Sequence, residues 1–138
     1  MTFKQNVATF IKRGNSVVLA ERIKLWEGQP VPFGGYWSPF AGAVEEGENP
    51  LIAATREIKE ESGLEFEVAE LNYIHTIKRA DSELILYYIE DTEEKEIRLN
   101  EEHTAQGTFL ISELHNLPSE FKMDSEIIDH FVNFLEKK

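Results

Sequence analysis

Residues 42–64 read GAVEEGENPLIAATREIKEESGL, and the second half of this stretch carries a complete helix signal. Asn49 can accept hydrogen bonds from the free N–H groups of a first turn, and Pro50 stands where its missing N–H is not needed. Helical spacing runs on to Ser62, and Gly63 supplies a left-handed stop. At about 100° per residue, Leu51, Ala54, Thr55, Ile58 and Ser62 share the side expected to pack on a sheet. Glu57, Glu60 and Glu61 share another side, at the i, i+3, i+4 spacing of neighbours. Three crowded carboxylates repel one another, and Lys59 projects elsewhere. The cluster is therefore either a solvated acidic face or an oxygen-rich site for a hard dication, Mg²⁺ or Mn²⁺.

Outward from the helix, most signals are those of strands. Residues 2–12 and 17–21 are rich in β-branched and apolar side chains, with Arg13-Gly14-Asn15-Ser16 as a hairpin turn between them. Residues 27–35, dense in Gly and Pro, are expected to form an irregular loop. Residues 36–44 read as a short strand interrupted by Pro39 and Gly42, and 45–48 as a turn. Strand signals resume at 64–68, 71–77 and 84–89, with weaker ones at 96–99 and 108–111. Tyr87 and Tyr88 alternate, so one is expected inside and the other outside. Asp124-Ser125 caps an amphipathic helix to about Leu135, with Ile127, Ile128, Phe131, Phe134 and Leu135 in one stripe. The order strands, helix, strands, helix predicts an α+β (mixed α/β) fold, with helices on a twisted mixed sheet. No repeat or linker-like segment interrupts the 138 residues, so one domain over 1–138 is expected.

Composition narrows the chemistry. With no Cys, disulfides, Cys-ligated metals and thiol catalysis are excluded. No apolar run approaches the roughly 18 residues that span a bilayer. The first residues lack a signal-peptide pattern, and a cytoplasmic protein is expected. Fourteen basic against 26 acidic side chains give a net charge of −12, which repels nucleic acid and anionic membrane. An anionic small molecule is repelled too, unless a bound cation stands between.

The pattern across residues 42–64 bears on the two readings of the acidic helix through a resemblance. Gly42, then five residues and Glu48, then seven residues and Arg56-Glu57-Ile58-Lys59-Glu60-Glu61-Ser62-Gly63-Leu64 resembles the signature of the Nudix (MutT-like) hydrolase family, G-x5-E-x7-R-E-U-x-E-E-x-G-U with U apolar, at every fixed position. Tyr36-Trp37-Ser38-Pro39-Phe40-Ala41 is similar to the family's lead-in strand. Leu99-Asn100-Glu101-Glu102-His103 is similar to a later Glu-His element of several nucleotide-cleaving members.

The resemblance implies an α/β/α sandwich with a mixed central sheet, a catalytic loop–helix–loop and a C-terminal helix. It implies a hydrolase of phosphorus-containing acid anhydrides, cleaving a nucleoside diphosphate linked to a group X by attack of water at phosphorus. Mg²⁺ (or Mn²⁺) would be held by Glu57, Glu60 and Glu61, with the Ala41 carbonyl and Glu48 as further ligands. Arg56 would hold the carboxylates in place by pairing with Glu48 or Glu57, and Gly42 would allow close backbone approach. Glu57 and Glu102 are the two candidates for the general base. Gln106 and Thr108 stand where members with the Glu-His element carry Tyr and Trp. Phe33, Tyr36, Trp37 and Phe40 are candidate nucleobase contacts, with at least two of them expected in the core.

The Glu-His element points to a (deoxy)nucleoside triphosphate or modified nucleotide, with dinucleoside polyphosphate or ADP-ribose as alternatives. Arg79 and Ala80 stand where some subfamilies carry substrate markers. A non-catalytic nucleotide-sensing module is the alternative of another class. The expected partner is a nucleotide small molecule, with no membrane and no stable nucleic-acid partner. Many members are dimers, which leaves a homodimer open.

Overall fold

The computed structural model describes residues 3–137. Its strands are β1 (Lys4–Arg13), β2 (Ser16–Arg22), β3 (Leu25–Trp26), β4 (Gln29–Pro30), β5 (Trp37–Ser38), β6 (Phe40–Ala43), β7 (Asn72–Lys78), β8 (Ser82–Glu90) and β9 (His103–Leu110). Two α-helices, α1 (Pro50–Ser62) and α2 (Ser125–Glu136), flank them. The main sheet runs β5-β2-β1-β8-β7, with β6 also paired to β1 and β9 to β2. β1 and β8 are parallel over Lys4–Lys12 and Ser82–Glu90, while the other pairings are antiparallel.

Alternation along the central strands sorts side chains to two helices. Ala8 and Phe10 of β1, Val17 and Leu19 of β2, and Leu86 and Tyr88 of β8 pack with Ile127, Ile128 and Phe131 of α2. Phe10 and Phe131 stack with ring centres 4.2 Å apart. The intervening residues take the opposite face: Ile11, Val18, Ala20 and Ile89 pack with Ile58 of α1, and Val7, Ile85 and Tyr87 with Ala53 and Ala54. The result is the α/β/α sandwich, and it explains why both Tyr87 and Tyr88 are buried. The one-in, one-out expectation for this pair fails because helices cover both faces of the sheet.

Other expectations change where an alternating pattern finds no strand to pair with. Residues 64–68 are not a strand. Leu64 and Phe66 anchor one by one on the core, and Glu67 with Glu70 forms a reciprocal capping box that winds Val68–Glu70 into a 3₁₀ turn. Residues 96–99 are also unpaired as a strand, their alternation reflecting Ile97 and Leu99 packed on the same cluster. β9 starts earlier than 108 because the edge of β2 accepts it from Arg22↔His103 to Ser16↔Leu110. The stretch 27–35 is less irregular than expected: Trp26↔Gln29 and Leu25↔Pro30 pair across a turn with Glu27 and Gly28 at φ 51° and 81°. These angles suit a tight two-residue hairpin. Pro39 separates β5 from β6 as expected, but Gly42 lies inside β6 opposite Val7. Among the described residues, no helix is long and apolar enough to cross a membrane.

Candidate active site

The acidic helix is held at both ends as its sequence dictates. The Asn49 side chain accepts from the Leu51 amide at 2.8 Å, and Gly63 closes the helix at φ 77°. The packed side is wider than the spacing implied, because Ala53 and Glu61 are buried along with Ala54, Ile58 and Ser62. This rotation carries one carboxylate of the acidic face into the protein.

β6 explains where that carboxylate goes. Phe40 and Gly42 lie among residues paired with β1, while the outer edge of β6 meets α1. The Ala41 amide donates to Glu61 Oε1 at 3.2 Å, and the Ala43 carbonyl accepts from Arg56 Nη2 at 3.0 Å. In an extended strand a residue's N–H and C=O face the same edge, so the Ala41 carbonyl also faces the carboxylates. Glu57 lies against Gly42, where any Cβ would collide with its carboxyl group. A side chain at position 42 would thus have to push the Glu57 carboxyl group aside, although the backbone conformation alone would accept other residues.

Arg56 is the bracket of the cluster. Its Nε and Nη2 form a fork on Glu48, both bonds 2.8 Å, and its Nη1 reaches Glu57 at 2.7 Å. Glu60 is more than half exposed and only 3.4 Å from Nη1. The Arg56 fork, helped by the Glu45 amide, pulls the Glu48 carboxyl down to about 2. Burial, reinforced by Glu57 next to it, pushes Glu61 up to about 9. Two carboxylates sharing one small dry space hold a proton between them, or else a cation.

The donor set therefore fits a hard dication, though not all in the arrangement that the helix spacing implied. Glu57, Glu61 and the Ala41 carbonyl share one side. Arg56 reaches Glu48 and Glu60 as well as Glu57, and among the described residues no three such side chains already form a ligand cage. Glu48 is engaged by the Arg56 fork, the second of the two arrangements expected for it. Glu60, loosely held and exposed, is the third carboxylate with room to turn.

One cavity borders this cluster and a second lies beyond Arg22, which lines both. The larger, of about 610 Å³, touches Ala41 and Gly42 and is lined by Phe33, Tyr36, Lys4, Arg22 and Arg79. Phe33 and Tyr36 meet edge to face at 5.3 Å, and Phe33 sits at φ 57°, an uncommon conformation for an aromatic residue. Trp37 and Phe40 are not in this cavity. Trp37 packs on Phe109 and Phe121, and Phe40 is buried beside His103. Phe40 is a core residue and Trp37 is half-buried against the core, because the alternation of β5 and β6 turns both into the sandwich. The smaller cavity, of about 290 Å³, is lined by Arg22, Ile23, Trp26, Val31, Glu101 and Glu102. Glu102 is exposed, and its charge contributes to holding the Glu61 proton.

His103 is buried with both ring nitrogens lacking hydrogen-bond partners, and its Nε2 is 3.9 Å from Glu61 Oε1. Burial first, and Arg22 second, lower it to about 4, so it is neutral. Lys4, Arg22 and Trp26 escaped the sequence reading, and Arg79 enters it only as the residue at a subfamily marker position. Each is isolated along the chain, and only folding gathers them.

The NUDIX domain family profile matches residues 2–131. The chain belongs to the NUDIX domain family. A 42-residue stretch of this NUDIX domain is 45% identical to the octanoyltransferase of Myxococcus xanthus, covering 30% of this chain and 12% of that protein. An 80-residue stretch is 35% identical to the asymmetrical bis(5'-nucleosyl)-tetraphosphatase of Mus musculus, covering 51% of this chain and 52% of that protein. The chain thus spans about half the length of the second relative and far less of the first. The crystal structure of the MutT protein from Methanosarcina mazei shares the fold, with a TM-score of 0.75 over 99% of this chain and 95% of that one at 16% identity.

Proposed function

We propose that this NUDIX domain is a divalent-metal-dependent pyrophosphohydrolase that cleaves a nucleoside diphosphate linked to a second group. The observation that carries the reading is the pair of buried Glu61 and partly buried Glu57 on the Ala41–Gly42 edge, an edge that also lines a cavity gathering Lys4, Arg22 and Arg79 in a chain of net charge −12. Glu57, Glu61 and Glu60, with the Ala41 carbonyl, would hold Mg²⁺ or Mn²⁺. Such an ion neutralises phosphate oxygens and makes water more acidic.

The chain's own residues supply the remaining parts. Arg56 keeps Glu48 and Glu57 in register, and the basic side chains of the larger cavity draw in the phosphates. Phe33 and Tyr36 offer faces to a nucleobase. In the reaction, a water oxygen bonds to phosphorus and the P–O anhydride bond breaks. The departing phosphate takes the electron pair, and the water proton passes to a carboxylate. Glu102 suits that last role better than Glu57. Its side chain has no hydrogen-bond partner among the described residues, whereas Glu57 is tied to Arg56 at 2.7 Å.

The test is a panel of nucleoside triphosphates, ADP-ribose and dinucleoside polyphosphates, with and without Mg²⁺ or Mn²⁺, read by product identity. The mouse relative's name puts dinucleoside tetraphosphate on that panel. Metal-dependent release of a nucleotide product, lowered by orders of magnitude in Glu60→Gln with the fold intact, is the expected result. Saturable binding with no product under either metal would overturn it in favour of a nucleotide sensor.

A further inference from the structure

Arg22 ends β2 and lines both cavities. Its backbone is bonded to Gly35 and Tyr36, but its side chain has no ion pair with any described residue, and its Nε is buried without a partner. In a chain with 26 acidic side chains, a half-buried guanidinium left unmatched is a seat for an anion.

The smaller cavity lies beyond Arg22, and its walls are of a different kind. Trp26 is 50% exposed and belongs to none of the three core clusters. The core therefore does not require an indole there. It stands at the tip of the β3–β4 hairpin, whose turn residues Glu27 and Gly28 both take left-handed angles, so its backbone is pinned. Glu101 and Glu102 line the same cavity. With Glu102 assigned to the phosphorus as base, the Glu101 carboxylate is left to accept a hydrogen bond from the N–H edge of a neutral ring. A space of about 290 Å³ suits one planar ring system and little more.

We propose that the smaller cavity is a second ring-binding site, in which the planar heteroaromatic end of the leaving group X stacks on Trp26 with its N–H edge toward Glu101, while Arg22 holds the phosphate chain between the two cavities. This rests on the hydrolase reading above and narrows it to two-headed substrates, a nucleoside at each end of a polyphosphate.

The test pairs a methylene-bridged dinucleoside tetraphosphate with a methylene-bridged nucleoside triphosphate, both with Mg²⁺, on the wild-type chain, Trp26→Ala and Trp26→Phe. The two-headed probe should quench the share of the tryptophan emission that Trp26→Phe removes, Trp37 supplying the rest, and the one-headed probe should quench it far less. Trp26→Ala should weaken the two-headed probe about tenfold more than the other, the size of one lost stacking contact, with Trp26→Phe recovering most of it. Equal losses for both probes, or no quenching, overturn the second site. So does a Trp26 emission maximum that shifts with protein concentration, because a second copy of the chain then covers the hairpin. Quenching without turnover of any substrate on the panel would remove the hydrolase reading and keep the site. Turnover without quenching would do the reverse.

Discussion

The pair Glu57 and Glu61 sets the character of the site at the scale of single residues. Glu61 is buried and Glu57 partly so, and two adjoining carboxylate charges so poorly solvated repel one another. Without metal the conflict is relieved by a proton kept on Glu61 up to about pH 9. Glu61→Gln removes that proton requirement, so at pH 8 the metal-free variant should melt several degrees above wild type in a thermal scan. The same variant should lose the rise in Tm that Mn²⁺ gives the wild type. Gly42→Ala tests geometry alone. Its methyl group must displace the Glu57 carboxyl group, and turnover should fall on the order of 100-fold, as misplacement of a reacting centre does. A far-ultraviolet spectrum matching wild type would show that the sheet survives the change.

At the scale of elements, α1 is a rigid carrier whose ends were legible and whose rotation was not. Asn49 and Gly63 do what their residue types predict at a helix start and stop. Asn49→Ala should cost about 1 kcal/mol in urea unfolding, with turnover per folded molecule nearly unchanged. The rotation depends on β6, whose outer edge offers the Ala41 amide to Glu61 and the Ala43 carbonyl to Arg56. A helical wheel contains no strand edge, so it placed Glu61 with exposed neighbours. Residues 64–68 and 96–99 show the same gap: alternation reports which side chains are buried, and a strand also needs a free edge to pair with.

Across the whole molecule, two buried groups give the metal-free protein a stability optimum in mild acid. Glu61 ionises near its ordinary 4.5 in the unfolded chain but only near 9 in the fold. Between those values the unfolded state has released a proton that the native state keeps, so stability is complete below pH 4.5 and is lost as pH rises through the window. His103 acts from the other side. It takes a proton near 6.5 unfolded and near 4 folded, so stability is lost as pH falls from 6.5 to 4. Metal-free denaturation midpoints should therefore peak between about pH 5 and 6.5. Adding Mn²⁺ should move the peak toward higher pH, and the apparent Mn²⁺ affinity should rise with pH because the ion competes with the Glu61 proton.

The linear order of residues by itself determined the family signature from Gly42 to Leu64, the caps of α1 and α2, the β1–β2 hairpin and the carboxylates from which a site can be built. These are short-range matters of spacing, propensity and capping, written within a few turns of chain. The tertiary structure alone decided that Glu61 is dry while Glu60 is wet, that Trp37 and Phe40 turn into the sandwich while Phe33 and Tyr36 face a cavity, and that Arg22 reaches two cavities at once. Burial and proximity depend on which edges and faces meet across long stretches of chain, and no local pattern records that meeting.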